Sequence, residues 1–376
     1  MPTTSHEIIK IAGAGPAGLA AAITLAREGM QVIVHEAQPD VGWRFKRDFQ
    51  GLENWTTQQD VLDVFRDSGF TTNFESLACT RGITFDSMGR ERSIQSEDPI
   101  FYLVERGPNP GSLDHALLTQ AQQLGVEVRF NSRVKQLPYP AILATGPKAA
   151  DAIAVGYHFD TDMDDGYWVI CDNELAPGGY AYLLVWNGRG TVKSCMFNDF
   201  PQSKLYVKRT VDAFKERVGM EMKNPVAHGG VGNFYIPTHA YAGKRPVVGE
   251  HAGFQDTLWG FGMRHAINSG MLAARSMLDG TSYDEMWQAD IKGMLMVSVV
   301  NRALFSLLGN SGYSWFLKRV SQHQNLRQLL FRQYHPTLFK SLLYPWAKIR
   351  VKNLRKDLAC EYTDCECVKS CSENGR

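Results

Sequence analysis

Apolar residues open the chain in a short run. Residues 7–12 carry Ile8, Ile9 and Ile11, and predict a buried strand. The run ends in Gly13-Ala14-Gly15-Pro16-Ala17-Gly18. Residues 19–28 are then rich in Ala and Leu with no breaker, which predicts a helix stopped by Gly29. Val32, Ile33 and Val34 follow one another within residues 31–36, as a strand buried on both faces requires. The three pieces make one βαβ unit. Residues 37–100 read as loop-rich and aromatic, with a helix at 58–68. A helix at 111–124, a strand at 126–130 and a strand at 141–143 closing on Ala144-Thr145-Gly146 come next.

From about Tyr157 to Phe234 the period changes. Alternating apolar and polar residues with glycine turns, at 167–171, 179–186 and 191–197, predict antiparallel strands, and an amphipathic helix interrupts them at 204–218. Residues 246–249 predict a strand returning to the first sheet, and 262–278 its following helix. Beyond Tyr283 the chain reads as helical and basic. The expected architecture is α/β: a Rossmann-like dinucleotide-binding domain from residues 1–156 and 235–285, an inserted antiparallel β-sheet substrate domain at 157–234, a helical basic region at 286–359, and a Cys-rich tail at 360–376.

Composition adds limits. The 376 residues are 44% hydrophobic and 21% charged, ordinary for a globular chain, and a formal net charge of +1 argues against a nucleic-acid binder. That balance hides an asymmetry, because between Ile291 and Leu358 twelve Lys or Arg face a single acid, Asp357. No unbroken run of about eighteen uncharged apolar residues occurs, so no membrane-crossing helix is expected. Residues 1–7 are polar and leave no room for a signal peptide, which makes a cytoplasmic location the expectation. Cys79, Cys171 and Cys195 are scattered and read as inert core thiols.

The glycine motif carries the chemistry. Gly13 permits a tight turn, Gly15 lets backbone approach a pyrophosphate, and Gly18 lets the helix pack on the strand. The helix N-terminus offers free N–H groups to phosphates. Glu36 ends the second strand, where a carboxylate accepts from ribose hydroxyls and disfavours a 2′-phosphate, so NADP does not suit the site. This unit alone does not choose between FAD and NAD.

Residues 8–278 resemble the FAD-dependent oxidoreductases of the para-hydroxybenzoate hydroxylase type, and within them the geranylgeranyl reductase family. Val104-Glu105-Arg106 with Leu113-Asp114 is similar to the segment whose arginine reaches the flavin nucleotide, and Ala144-Thr145-Gly146 to the strand-end turn near the cofactor. Residues 246–270 resemble the second FAD motif, with Gly249-Glu250 for the usual Gly-Asp and Gly260-Phe261-Gly262-Met263 opening a helix. The resemblance thus implies FAD, held by Gly13, Ala14, Gly15, Pro16, Ala17, Gly18, Glu36, Ala37, Arg44, Arg106, Val134, Thr145, Gly146, Gly249, Glu250, Gly262 and Met263. Pro177-Gly178-Gly179-Tyr180-Ala181-Tyr182 is similar to the reductases' substrate-pocket motif, and implies an apolar pocket lined by Pro177, Tyr180 and Tyr182; an aromatic core strand is the alternative. The hydroxylases' Asp-Gly motif for NAD(P)H has no counterpart, and the loop at 41–47 lacks the cysteine of some reductases. No second fingerprint is present, since Gly229–Gly232 reads as a turn, so NAD(P)H is expected only as a transient reductant and the electron donor stays open.

The expected activity is hydride transfer from reduced flavin to a carbon–carbon double bond of an isoprenoid or lipid-like substrate. The alternatives are a monooxygenase or halogenase on the same scaffold, or a non-catalytic flavin redox sensor. His239, His251 and His265 are candidate proton shuttles, and no catalytic acid is assigned. The basic C-terminal helices suit either a solvated face or peripheral contact with the inner membrane surface. Cys360, Cys365, Cys367 and Cys371 could hold a metal or iron–sulfur cluster, or form a thiol-bearing tail without one.

Overall fold

The computed structural model describes residues 7–351; the Cys-rich tail and the cations Lys352, Arg355 and Lys356 lie outside them. The βαβ unit forms as β1 (Ile9–Ala12), α1 (Pro16–Arg27) and β2 (Val32–His35). The expected helix at 58–68 forms as α2 (Val61–Asp67), but the segment around it that read as loops lays down β3 (Phe49–Glu53), β4 (Ser76–Cys79), β5 (Arg81–Asp86) and β6 (Glu91–Gln95), followed by β7 (Phe101–Glu105). These strands are short and are specified by their partners across the sheet rather than by alternation along their own length. Then come α3 (Leu113–Gln123), β8 (Glu127–Arg129) and β9 (Ala141–Leu143).

The second half contains β10 (Ala152–Asp160), β11 (Gly166–Cys171), β12 (Tyr180–Trp186), β13 (Arg189–Met196), α4 (Ser203–Val218) and β14 (Lys223–Gly232). Gly229–Gly232, expected as a turn, is the end of β14. Its glycines pair with Ala152 to Val155 of β10, where missing side chains leave the edge close to the loop bearing Phe45. The helices α5 (Met263–Asp279), α6 (Tyr283–Asp290), α7 (Lys292–Ser321), α8 (Leu326–Tyr334) and α9 (Leu338–Arg350) complete the chain.

The nucleotide half is a parallel sheet in the order β8-β2-β1-β9. The expected return strand at 246–249 is reduced to one parallel bridge, Leu143 to Val247, and the hydrogen bond from Val248 N–H to the Leu143 carbonyl. The large sheet runs β14-β10-β13-β12-β11-β5-β6, so β5 and β6, from before residue 157, join it, and β11 pairs with β5 in parallel. A third sheet, β3-β7-β4, bridges the two. By length and composition α7 is apolar enough to cross a membrane, which an unbroken-run criterion misses. Much of it is core: Leu295, Val300, Phe305, Tyr313 and Leu317 are buried against the fold.

Small residues weld the nucleotide half together. A Cβ on Gly270 of α5 would run into the carbonyl oxygen of Ala17 in α1, and one on Gly249 would meet the Ala17 methyl. The two helices therefore cross at backbone contact, over Leu19, Ile23, Ile267 and Ala273. Gly270→Ala should force them apart and cost about 1–3 kcal/mol in denaturant unfolding, with weaker flavin retention.

Candidate functional site

A cleft of about 1920 Å³ runs between the parallel sheet and the inner face of the large sheet. At one end lies the turn after β1. Gly13 holds φ +104°, a conformation L side chains rarely adopt, and a Cβ there would strike the Ala144 carbonyl. A Cβ on Gly18 would strike the Gly13 carbonyl, whereas one on Gly15 would meet nothing within 4 Å. Gly13 and Gly18 thus shape the turn, and Gly15 keeps its mouth open. Helix α1 starts at Gly15 with Pro16 in its first turn and no side-chain cap, so its leading N–H groups face the cleft unspent.

Glu36 is fixed by two backbone donors: the Ala14 N–H to Oε2 at 2.8 Å and the Gln38 N–H to Oε1 at 2.9 Å. Each carboxylate oxygen keeps a lone pair for a hydroxyl. Ala37, Val134, Thr145, Gly146 and Arg106 line the same cleft. Arg106 is held rigidly, its Nε and one terminal nitrogen on Asp114 at 2.7 and 2.9 Å and the other on Gln50 at 2.8 Å. Arg44 pairs with Glu250 at 3.2 Å, and burial pushes the Glu250 carboxyl above the usual range. Ala14, Gly18 and Gly249 sit behind the wall and act through packing and the Glu36 bond.

Farther in, Gly262 and Met263 start α5, a second helix without a side-chain cap, on the cleft wall. The loop leading to it is stitched by Asp256, which accepts from the Trp259 N–H at 2.6 Å and the Tyr334 hydroxyl at 2.9 Å. Beside Gly262, Gln255 Oε1 is buried with no partner among the described residues, an acceptor left for a donor on a bound group. His251 accepts from Thr145 through Nδ1, and burial holds its imidazole well below the usual value, so it ties the two motifs together as a neutral ring. His265 is buried off the cleft, and His239 pairs with Asp284 at 2.9 Å away from it.

The inner end is an aromatic chamber. Trp55, Phe101, Tyr167, Tyr182, Trp259 and Phe261 line it, closed by Phe316, Leu317 and Val320 of α7 and Leu326 and Leu330 of α8. Tyr180 and Tyr182 are both on its wall. Tyr180's hydroxyl donates to the Trp259 carbonyl. Pro177 is not on the wall: it lies in the turn before β12, its carbonyl accepting from the Phe197 N–H at 3.0 Å. Cys171 and Cys195 also line the cleft as protonated thiols, pushed by burial to about 12 and about 11; Cys79, off it, is likewise raised to about 12.

One group of residues had no motif to announce it. Lys193 on β13, beside Tyr182 of β12, places Nζ 2.7 Å from both oxygens of Asp48, and both residues line the cleft. His158 Nε2 lies 3.1 Å from the same carboxylate, with the His228 ring tilted against that of His158 at 4.2 Å between centroids. Burial would raise the Asp48 carboxyl, but the Lys193 ammonium and the His158 hydrogen bond hold it well below the usual range. Asp48, His158 and His228 bring metal-ligand atoms within 4.8 Å, yet the ammonium already occupies both carboxylate oxygens. The only sequence signal was a lysine inside a strand buried on both faces.

Comparison with known proteins agrees with this geometry. The family profile described as "FAD binding domain" matches residues 6–139. No curated protein is a significant match by sequence. A geranylgeranyl bacteriochlorophyll reductase-like protein from Thermoplasma acidophilum superimposes with a TM-score of 0.70 at 16% identity, over 90% of this chain and 99% of that one. The flavin-dependent brominase Bmp2 gives 0.61 at 14% identity, covering 91% and 96%. The p-nitrophenol 4-monooxygenase PnpA from Pseudomonas putida gives 0.60 at 12%, covering 93% and 100%. Profile and geometry together place an FAD-binding domain at residues 6–139, within a fold common to these flavoprotein structures. Its architecture is shared by reductase-like proteins, halogenases and monooxygenases alike, so the reaction must be argued from the chamber.

Two outcomes are expected. Gly15→Val should leave the melting temperature of cofactor-stripped protein unchanged yet abolish flavin absorbance in the purified protein, while Gly18→Val should not fold. Asp256 titrates at about 6 in the fold against 3.8 unfolded, so the folded state holds its proton more tightly. The stability this brings is complete below pH 4 and is lost as pH rises towards 6, a loss of about 3 kcal/mol. Asp256→Asn should therefore match wild type in urea unfolding at pH 4 and exceed it at pH 8.

Proposed function

We propose that the protein is an FAD-dependent reductase acting on a carbon–carbon double bond of an apolar, lipid-like substrate, of which an isoprenoid chain is the fitting class. The observation that carries this reading is the chamber: aromatic and aliphatic side chains from β12, the 253–262 loop, α7 and α8 enclose the inner end of the cleft. Bound FAD would supply the hydride. The turn at Gly13–Gly18 and Glu36 would hold its nucleotide end, and Gly262 and Met263 its ring end, where an uncapped helix favours negative charge.

The chain's own work is then to hold an apolar chain in place, keep water out and provide a proton. Trp55 Nε1 and the Tyr167 hydroxyl are buried without partners among the described residues, two donors suited to one polar group on an otherwise apolar substrate. With the Tyr180 hydroxyl spent, Tyr182 and its neighbour Lys193 are the groups placed to give a proton to carbon. Burial keeps the Tyr182 phenol protonated throughout the ordinary pH range. Asp48 and the two histidines connect Lys193 towards the outer edge of the sheet. The reductant is proposed as NAD(P)H acting transiently, consistent with the single nucleotide fold among the described residues.

Photoreduced, oxygen-free enzyme mixed with polyprenyl lipids tests the reading. Substrate-dependent flavin reoxidation with a saturated product is expected, and Tyr182→Phe should slow it about 100-fold or more without altering photoreduction. Oxygen-dependent hydroxylation, or halogenation in the presence of halide, would assign the scaffold to its other chemistry. Unperturbed flavin with every lipid would leave a redox-sensing role.

A further inference from the structure

Helix α9 is packed inside out. Its Ala347, with Leu343 and Tyr344, lies against Val299, Val300 and Ala303 of α7. The opposite face carries Leu338, Leu342 and Ile349, exposed by 87%, 80% and 84%, together with Phe339 and Trp346. At 100° per residue these five fall within one arc of about 100°. Leu304 and Leu307 of α7 are also exposed, one turn beyond Val300 and Ala303 on the stripe that α9 covers. A monomer seldom leaves so many large apolar side chains together in water.

The charge of the helical region that carries this face is of one sign. Lys348 and Arg350 flank the apolar arc on α9, and Lys318, Arg319 and Arg332 are exposed on α7 and α8. From Ile291 to Val351 the chain contains no Asp or Glu. Residues 352–376 offer few large apolar side chains, chiefly Leu354, Leu358, Tyr362 and Val368, and so make a poor cover for the arc. An apolar stripe bordered by cations matches the acyl and headgroup layers of an anionic leaflet.

We propose that α9 is an in-plane docking helix that seats the protein on an anionic bilayer surface, with Leu338, Phe339, Leu342, Trp346 and Ile349 in the acyl region. Docking would bring a lipid surface to the helical layer that also supplies chamber wall: α9 packs on α7 at Val299, Val300 and Ala303, and Phe316, Leu317 and Val320, beyond the break at Gly309, line the chamber. The purpose of docking rests on the proposed lipid substrate; the docking itself does not.

The test floats the full-length, FAD-loaded protein with vesicles of phosphatidylcholine alone or mixed with phosphatidylglycerol. Flotation with the mixed vesicles is expected, weakened by high salt. A Leu342→Glu/Ile349→Glu variant should lose at least about tenfold in vesicle affinity with flavin absorbance and melting unchanged, since these side chains touch nothing in the core. Wild type remaining in the buffer fraction overturns the proposal, as does a variant that floats equally well. A concentration-dependent dimer that the variant abolishes, without vesicle binding, would overturn it by assigning the face to a second copy. If vesicles bind but no lipid reoxidises the flavin, docking stands and the reductase reading falls.

Discussion

Everything in the site depends on α1 and α5 meeting at backbone contact. Gly270 against the Ala17 carbonyl leaves no room for a side chain between the helices, and Gly249, in the turn that precedes α5, packs as closely on the Ala17 methyl. That contact fixes the first turn of α1, which begins at Gly15, relative to the loop that delivers Gly262 and Met263 to the start of α5. Two uncapped helix N-termini thereby open on one cleft, one at each end of the length a dinucleotide would span. The polar bonds are secondary fasteners on this packing. His251 ties Thr145 to the second motif, and Asp256 ties its loop to Tyr334 of α8.

The substrate side obeys a different constraint. Its sheet must present an apolar face to a chamber while hosting a buried charge. Lys193 is tolerated there only because Asp48 accepts from it at two oxygens and His158 supports the carboxylate. Such a pair contributes little net stability, yet removing one partner would strand a buried ion. A costly arrangement of this kind on a cleft wall is better explained by chemistry than by folding.

What could be read from the sequence follows the range of the forces involved. The βαβ unit is local: apolar runs, an Ala-rich helix and three glycines at fixed spacing specify it, and Glu36 falls where the motif puts it. The motifs at Thr145 and at Gly249–Met263 were legible through family resemblance, and the structure brings both to the same cleft. Strands β3 to β7 were not legible, because strands of four to six residues are too short to show a period of their own and, apart from the β5–β6 hairpin, pair with partners distant in sequence. Nor were Asp48 and Lys193, which are 145 residues apart in sequence. Pro177 belonged to the expected pocket motif, but a turn residue at the sheet end points its backbone, not its ring, to a neighbour. The outward apolar face of α9 was hidden in a segment where basic and leucine-rich stretches suit a packed helix equally well.

The proposed chemistry requires that one cleft hold a whole FAD, its nucleotide at Gly15 and Glu36 and its ring at the start of α5. Calorimetric titration of cofactor-stripped protein with FAD, FMN and NAD measures this most directly. Tight FAD binding is expected, with much weaker FMN binding because the adenosine and pyrophosphate contacts are lost, and negligible NAD binding. FMN binding as tightly as FAD, or a preference for NAD, would contradict it.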